Sequence, residues 1–269
     1  MKTRYWISSL FFFTVGLIGV LTPIIAHSQV QTDGEMGITF KGLVDPAFGI
    51  LDPENPNPNQ VLEPEEAYGS TEGPLRIDFV PSINFSSNKI VTTDINYSAD
   101  ALLFKKILAP RGTFIQVSDY REEQTGWSLQ VRQETQFTNQ QKQSLNGAIL
   151  SFDKSWINTP NGISQHPAVS KEVIRLNNIG ETYTLAKADK GAGGGTWSVI
   201  FGRSKDNAEN ETPTLSPRVD QNGLPIKESS KGNQPAYMND AINLSIPGGT
   251  KKEPGTYSTV LTWIISELP

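Results

Sequence analysis

The chain has no cysteine and only two histidines among its 269 residues. Disulfide bonds, thiol nucleophiles and thiolate metal sites are therefore excluded. Beyond residue 27 the one histidine is His166, in a loop bounded by Pro160 and Pro167, where a lone histidine is more often a surface residue than a general base. The sequence also lacks a Gly-x-Ser-x-Gly elbow and a phosphate-binding loop. We expect no enzymatic activity, no metal and no cofactor, while a carboxylate pair for glycan hydrolysis stays open as an alternative.

Long apolar runs are missing as well, except at the N-terminus. Two basic residues within the first four precede the uncharged run Leu10–Leu21, and small residues two apart lead up to Ser28. This order predicts a secretory signal peptide over residues 1–28, cleaved after Ser28. The same run is long enough for an uncleaved membrane anchor, but Pro23 and the small residues favour cleavage. We therefore expect a secreted protein with no membrane span after signal cleavage.

Positive charge is scarce relative to negative charge. The formal net charge is -5, and it becomes more negative when the basic signal peptide is removed. Nucleic-acid binding requires clustered lysine and arginine to neutralise phosphates, so no nucleic-acid partner is expected. Export without cysteine fits a Gram-positive cell surface better than an animal secretory pathway.

Residues 29–72 read as an acidic, proline-rich leader. Its prolines follow acidic or amide residues in Asp45-Pro46, Asp52-Pro53, Asn55-Pro56-Asn57-Pro58 and Glu63-Pro64-Glu65-Glu66. Repeated X-Pro pairs favour extended backbone, and the acidic residues between them favour solvation. The spacing of these carboxylates does not match a known calcium loop. We predict that residues 45–72 form an extended, mobile spacer that the rest of the fold does not need.

Residues 73–269 carry the signals of a β domain. Short runs alternate apolar and polar residues between glycine, asparagine, aspartate and proline. The clearest runs are Leu75–Phe79, Thr113–Val117, Trp127–Val131, Ala148–Phe152, Thr182–Leu185, Trp197–Phe201, Ile242–Ile246 and Tyr257–Ser266. This pattern predicts an all-β fold, an antiparallel β-sandwich or barrel of nine or ten strands. One short helix over Ser98–Leu108 and a long polar surface excursion over residues 203–238 are also expected.

The tryptophans give a more specific signal. Residues i and i+2 of a strand share a face, so Trp127 and Leu129 are expected to be neighbours, as are Trp263 and Ile265. The second of these pairs lies in the chain's last segment, Tyr257–Pro269. Polar residues occupy alternate positions in these segments, namely Ser128, Gln130 and Thr262.

These two segments resemble the WxL family of Gram-positive cell-surface proteins. That family carries one Trp-x-Leu in mid-domain, matched here by Trp127-Ser128-Leu129, and a C-terminal pattern Tyr-x-x-x-Leu-Thr-Trp-x-Leu-x-x-x-Pro. The C-terminal pattern is matched by Tyr257, Leu261, Thr262, Trp263 and Pro269, with Ile265 in place of the second leucine. The resemblance covers about residues 74–269 and identifies a small WxL member with its domain at 73–269.

The resemblance implies non-covalent attachment to peptidoglycan in the cell wall. It also implies a multi-protein surface complex with other WxL proteins or a membrane-anchored surface partner. A Leu-Pro-x-Thr-Gly sorting signal is absent, so retention is expected to come from binding. The alternative is an adhesin or protein–protein module that binds host matrix proteins or a co-encoded partner, by strand addition or through a polar loop.

Two roles are open for the motif residues. Trp127, Leu129, Trp263 and Ile265 could contact a ligand or partner, because exposed tryptophan is enriched at binding hot spots. They could instead pack the core, which the polar residues on the opposite strand faces favour. We expect Trp263 to be structural, in a well-paired C-terminal strand, and Trp127 to be the better candidate for a ligand contact.

Overall fold

The computed structural model describes residues 45–105, 107–160, 162, 165–207, 211–228 and 233–269. These residues belong to one compact unit, residues 41–269. The predicted signal peptide, 1–28, and the first part of the leader, 29–44, lie outside the described residues.

The described residues form eighteen β-strands and one short 3₁₀ helix, Lys205–Asn207. The strands are β1 (Glu63–Pro64), β2 (Leu75–Phe79), β3 (Ile95–Asp100), β4 (Leu102–Lys105), β5 (Ile107–Arg111), β6 (Thr113–Asp119), β7 (Trp127–Gln133), β8 (Ile149–Phe152), β9 (Ser155–Asn158), β10 (Ala168–Val169), β11 (Ile174–Arg175), β12 (Thr182–Ala188), β13 (Gly195–Phe201), β14 (Leu215–Pro217), β15 (Lys227–Glu228), β16 (Gln234–Pro235), β17 (Tyr237–Ile246) and β18 (Leu261–Glu267).

The strands form several small antiparallel sheets. Two four-stranded sheets have the orders β2-β6-β13-β9 and β10-β12-β7-β18. A larger sheet has the order β11-β8-β17-β14, with β3 also paired to β17, and the remaining sheets are β1-β4-β5 and β15-β16. The all-β, antiparallel class is therefore confirmed. Eighteen strands replace the nine or ten expected, because several are only two residues long and carry no readable alternation.

The core lies on both sides of the β6–β13 pair, whose residues are buried along their whole length. On one side Val117, Trp197 and Val199 join the largest apolar cluster, to which β7, β8 and β12 also contribute. On the other side Phe114 and Ile200 join a second cluster. The second cluster exists because apolar residues from the leader cover this face.

The leader is thus not the spacer that its composition predicts. Ile50 and Leu62 pack into the second cluster, and the Leu51 amide donates to Oε1 of Gln116 over 2.8 Å. Asp52 forms an ion pair with Arg111 at 2.6 Å, with both side chains largely shielded from water. The prediction of a mobile spacer is wrong at residues 50–53 and at Leu62, where three apolar side chains between the prolines pack against the sheet. Residues 66–74 are exposed.

The predicted helix over Ser98–Leu108 is also wrong. This segment contributes to β3, β4 and β5. Ala99, Ala101 and Leu103 are buried at every second position, which is the period of a strand. The run looked helical because alanine and leucine favour helices, but burial against neighbouring strands overrides that preference.

Candidate binding site

The two Trp-x-aliphatic motifs are neighbours in the structure. Strands β7 and β18 pair antiparallel along seven residues with no shift in register. Leu129 lies opposite Ile265, and Trp263 lies opposite Val131. The C-terminal strand is therefore well paired, as expected, although it starts at Leu261 and lies at the edge of its sheet.

Trp127 and Leu129 are fully buried in the main cluster. The Trp127 indole N–H donates to the Gly193 carbonyl over 3.0 Å, which satisfies its polar atom inside the core. Gly193 has φ +75°, and a Cβ added there would lie 2.6 Å from Nε1 of Trp127. The expectation that Trp127 is the better candidate for a ligand contact is therefore wrong, because its side chain reaches no surface.

Trp263 and Ile265 are half-buried and pack against the same cluster from the edge strand. The Trp263 ring meets Phe152 edge to face, with centroids 6.1 Å apart. Leu261 shares this strand face. One side of Trp263 is thus structural, as expected, and the remainder lines a groove.

The groove has a volume of about 1560 Å³. Its lining comes mainly from four stretches of chain: 66–69, 80–90, 252–261 and parts of 218–237. Its aromatic side chains are Tyr68, Phe85, Tyr97, Phe137, Tyr237, Tyr257 and Trp263. Aromatic residues dominate protein binding surfaces because they bury a large area at low entropic cost.

Exposed apolar residues are concentrated in this groove. Of the eight large apolar side chains that are exposed among the described residues, five line it: Tyr68, Ile90, Val219, Ile226 and Val260. Contiguous exposed apolar surface of this kind marks interaction sites in soluble proteins. We therefore take the groove as the candidate binding site.

The groove's charges balance. Its lining contains Glu66, Asp100 and Glu253 against Lys89, Arg218 and Lys252. The carboxylates are engaged: Asp100 pairs with Arg218 at 2.6 Å, Glu253 pairs with Lys251 at 2.7 Å, and Glu66 accepts from the Asn84 amide at 3.0 Å. A neutral lining with occupied carboxylates suits an uncharged ligand better than a polyanion.

The remaining motif residues have separate positions. The Tyr257 side chain packs beside Phe137 in a third cluster, and its hydroxyl donates to the Glu253 carbonyl over 3.2 Å. Thr262 lies on the opposite strand face, where its hydrogen bond lowers the pKa of the Glu134 carboxyl. Pro269 is exposed. The motif therefore combines packing residues with groove residues.

Sequence reasoning missed most of the groove. The stretch 80–90 has no regular alternation. Residues 203–238 were expected as a polar surface excursion, and as the loop through which the alternative adhesin would bind a partner; they supply Arg218, Val219 and Ile226 to the groove. The glycine-rich loop Gly191-Ala-Gly-Gly-Gly195, directly before and into β13, also positions tryptophans. Besides the Trp127 contact, the Gly194 carbonyl accepts from the Trp197 indole over 2.9 Å. Neither contact leaves a signal in the local sequence.

A family model for the WxL domain, described as surface cell wall-binding, matches residues 26–269. The chain therefore belongs to the WxL family, a family of cell-surface, cell wall-binding domains. No curated protein and no solved structure matches the chain. Within the described ranges, no helix is long and apolar enough to cross a membrane.

Proposed function

We propose that this protein is exported, attaches non-covalently to the peptidoglycan of a Gram-positive cell wall, and acts there as a member of a surface protein complex. The observation that carries the proposal is the match to a wall-binding family over residues 26–269. A signal peptide at residues 1–28 accounts for export, and its removal leaves the wall-binding domain outside the cell.

The form of the site supports binding. The groove is larger than the roughly 300–1,000 Å³ typical of small-molecule pockets, which suits a polymer or a polypeptide segment. Its three carboxylates are engaged by neighbouring side chains, and its apolar and aromatic lining offers contact area.

Extraction from intact cells tests the proposal. Washing cells with concentrated lithium chloride or urea is expected to release the full amount of protein, with an N-terminus at Gln29 by mass spectrometry. Protein that resists both washes and is released only by muramidase digestion would show covalent attachment and contradict the proposal. Protein found wholly in the culture medium would contradict wall retention.

A second candidate function is a protein–protein module that binds host matrix proteins or a co-encoded surface partner. The specific observation in its favour is that the outer edge of β18 pairs with no other strand in the described part of the chain. Saturable binding to fibronectin, collagen or a co-encoded protein, without binding to isolated walls, would favour this function over wall attachment.

A further inference from the structure

Strand β18 is the edge strand of its sheet, and among the described residues β2 lies near it without pairing to it. It runs for seven residues, Leu-Thr-Trp-Ile-Ile-Ser-Glu, in continuous register with β7. Natural edge strands are usually kept from pairing with other chains by lysine, proline, a bulge or a covering segment. The sequence of β18 contains no lysine or proline, and its pairing shows no bulge.

The hydrogen-bond pattern shows which backbone groups are available. Glu134 N donates to Val260 O over 2.9 Å, and Leu268 N donates to Gly126 O over 3.2 Å. Even-numbered residues of this segment therefore direct their N–H and C=O groups toward β7, since these alternate along an antiparallel pair. The odd-numbered residues Leu261, Trp263 and Ile265 direct theirs to the free side, where no described strand pairs with them.

The free edge opens onto the groove. Leu261 and Trp263 line it, and Val260 beside them is 58% exposed. An occupant of this space meets alternating N–H and C=O groups at the spacing of a β-strand. A polypeptide backbone in the extended conformation is the ligand that satisfies this array.

We propose that an extended segment of a partner protein adds to the free edge of β18, as a new outer strand of the β10-β12-β7-β18 sheet. The neutral lining requires an uncharged segment. Leu261 and Trp263 share one face of β18 and line the groove, so they favour apolar side chains at every second position of that segment, because alternate side chains of a strand face the same side. This inference rests on the part of the proposed function in which the protein joins a surface complex. It assigns the free edge of β18 as the surface that contacts the partner.

The mature full chain, residues 29–269, is the protein to test. It is used to select from a phage-displayed library of random twelve-residue peptides. Enriched peptides are expected to be uncharged, with apolar residues at every second position. Resynthesis with N-methyl groups on the alternate residues that face β18 is expected to weaken binding at least tenfold, since the N–H donors are lost. No enrichment, helical spacing, or full binding by the methylated peptides would overturn the proposal.

Two matched variants locate the site. Val260→Arg places a charge in the groove. Val61→Arg is the control, because Val61 is similarly exposed, at 56%, but lies outside the groove. The selected peptide is expected to bind Val260→Arg at least tenfold more weakly than wild type, and to bind Val61→Arg with wild-type affinity. Both variants are expected to keep the wild-type melting temperature. Val61→Arg is expected to keep binding isolated walls, because Val61 lies outside the groove.

Other results would show that something other than a partner segment occupies the free edge of β18. If Val260→Arg abolishes wall binding, the groove is the wall-binding site and the strand-addition proposal is overturned, while the proposed wall attachment stands. If the free protein is a dimer that Val260→Arg converts to a monomer, a second copy occupies the edge and the partner-segment proposal is overturned. If neither variant changes peptide affinity, the peptide binds elsewhere and the proposal fails.

Discussion

Leu129 and Ile265, the third residues of the two Trp-x-aliphatic motifs, lie directly opposite each other on β7 and β18. They form a non-hydrogen-bonded pair, in which the two side chains approach most closely. The two motifs are therefore one structural unit, since each fixes the strand that carries the other. Within that unit the roles differ: the mid-domain motif is core, and the C-terminal motif is half core and half surface.

This difference predicts unequal costs of removing the two tryptophans. Trp127→Ala empties a fully buried site and is expected to destabilise the fold by about 3–5 kcal/mol. Trp263→Ala removes a half-buried ring and is expected to cost about 1–2 kcal/mol. Urea unfolding of both variants measures this, and an equal or reversed order would contradict the assigned roles.

The glycine-rich loop predicts a second stability effect. A Cβ at Gly193 would lie 2.5 Å from Cβ of Ala188 and close to the Trp127 indole, so Gly193→Ala is expected to lower the melting temperature markedly. Gly180→Ala is the control, because Gly180 has a similar φ of +80° but nothing within 4 Å. That variant isolates the backbone cost, about 1–2 kcal/mol. Equal melting of the two variants would argue against the packed loop.

The leader's attachment predicts a third effect. Asp52→Asn removes the ion-pair partner of the shielded Arg111 guanidinium, with Glu54 and Asp206 remaining near it, and is expected to cost about 2–3 kcal/mol. Asp189→Asn breaks an exposed pair with Lys187 and is expected to leave stability unchanged. Calorimetry of the two variants compares them. If Asp52→Asn has the melting temperature of the wild-type protein, the ion pair does not stabilise the fold, and the prediction that the leader is dispensable would stand.

Acid is expected to weaken the leader's attachment further. The hydrogen bond from Arg76 lowers the pKa of the Asp45 carboxyl below its ordinary value. A carboxyl whose pKa is lowered by folding stabilises the native state above its unfolded pKa, and this contribution disappears as pH falls through the folded pKa. Asp45→Asn is therefore expected to melt below wild type at neutral pH, with the difference closing below about pH 4. A difference that does not vary with pH would contradict this.

The sequence was sufficient for the strands with clear alternation, and insufficient for β3, β4 and β5, for the two-residue strands and for the pairing between strands. The alternation in Leu75–Phe79 and Trp197–Phe201 identified β2 and part of β13, because a local period-two pattern indicates a strand. The pairing of Leu129 with Ile265 joins residues far apart in the chain, and nothing local encodes it. The packing of Ile50 and Leu62 was hidden for the same reason, behind a composition typical of a spacer.

Only the part of the candidate site that the C-terminal motif supplies could be predicted. Trp263 and Tyr257 were identified by the C-terminal motif and line the groove. Val219 and Ile226 come from a polar stretch without periodicity, so only the folded chain brings them to the same surface. Burial decides the role of a tryptophan, and burial is a property of the whole fold.

Wall attachment itself is tested most directly by sedimenting purified residues 29–269 with isolated peptidoglycan while measuring release of sugars and peptides. We predict saturable co-sedimentation, reversal by lithium chloride or urea, and no released sugar or peptide. Failure to sediment at any wall concentration, or release of wall fragments by the pure protein, would contradict the account.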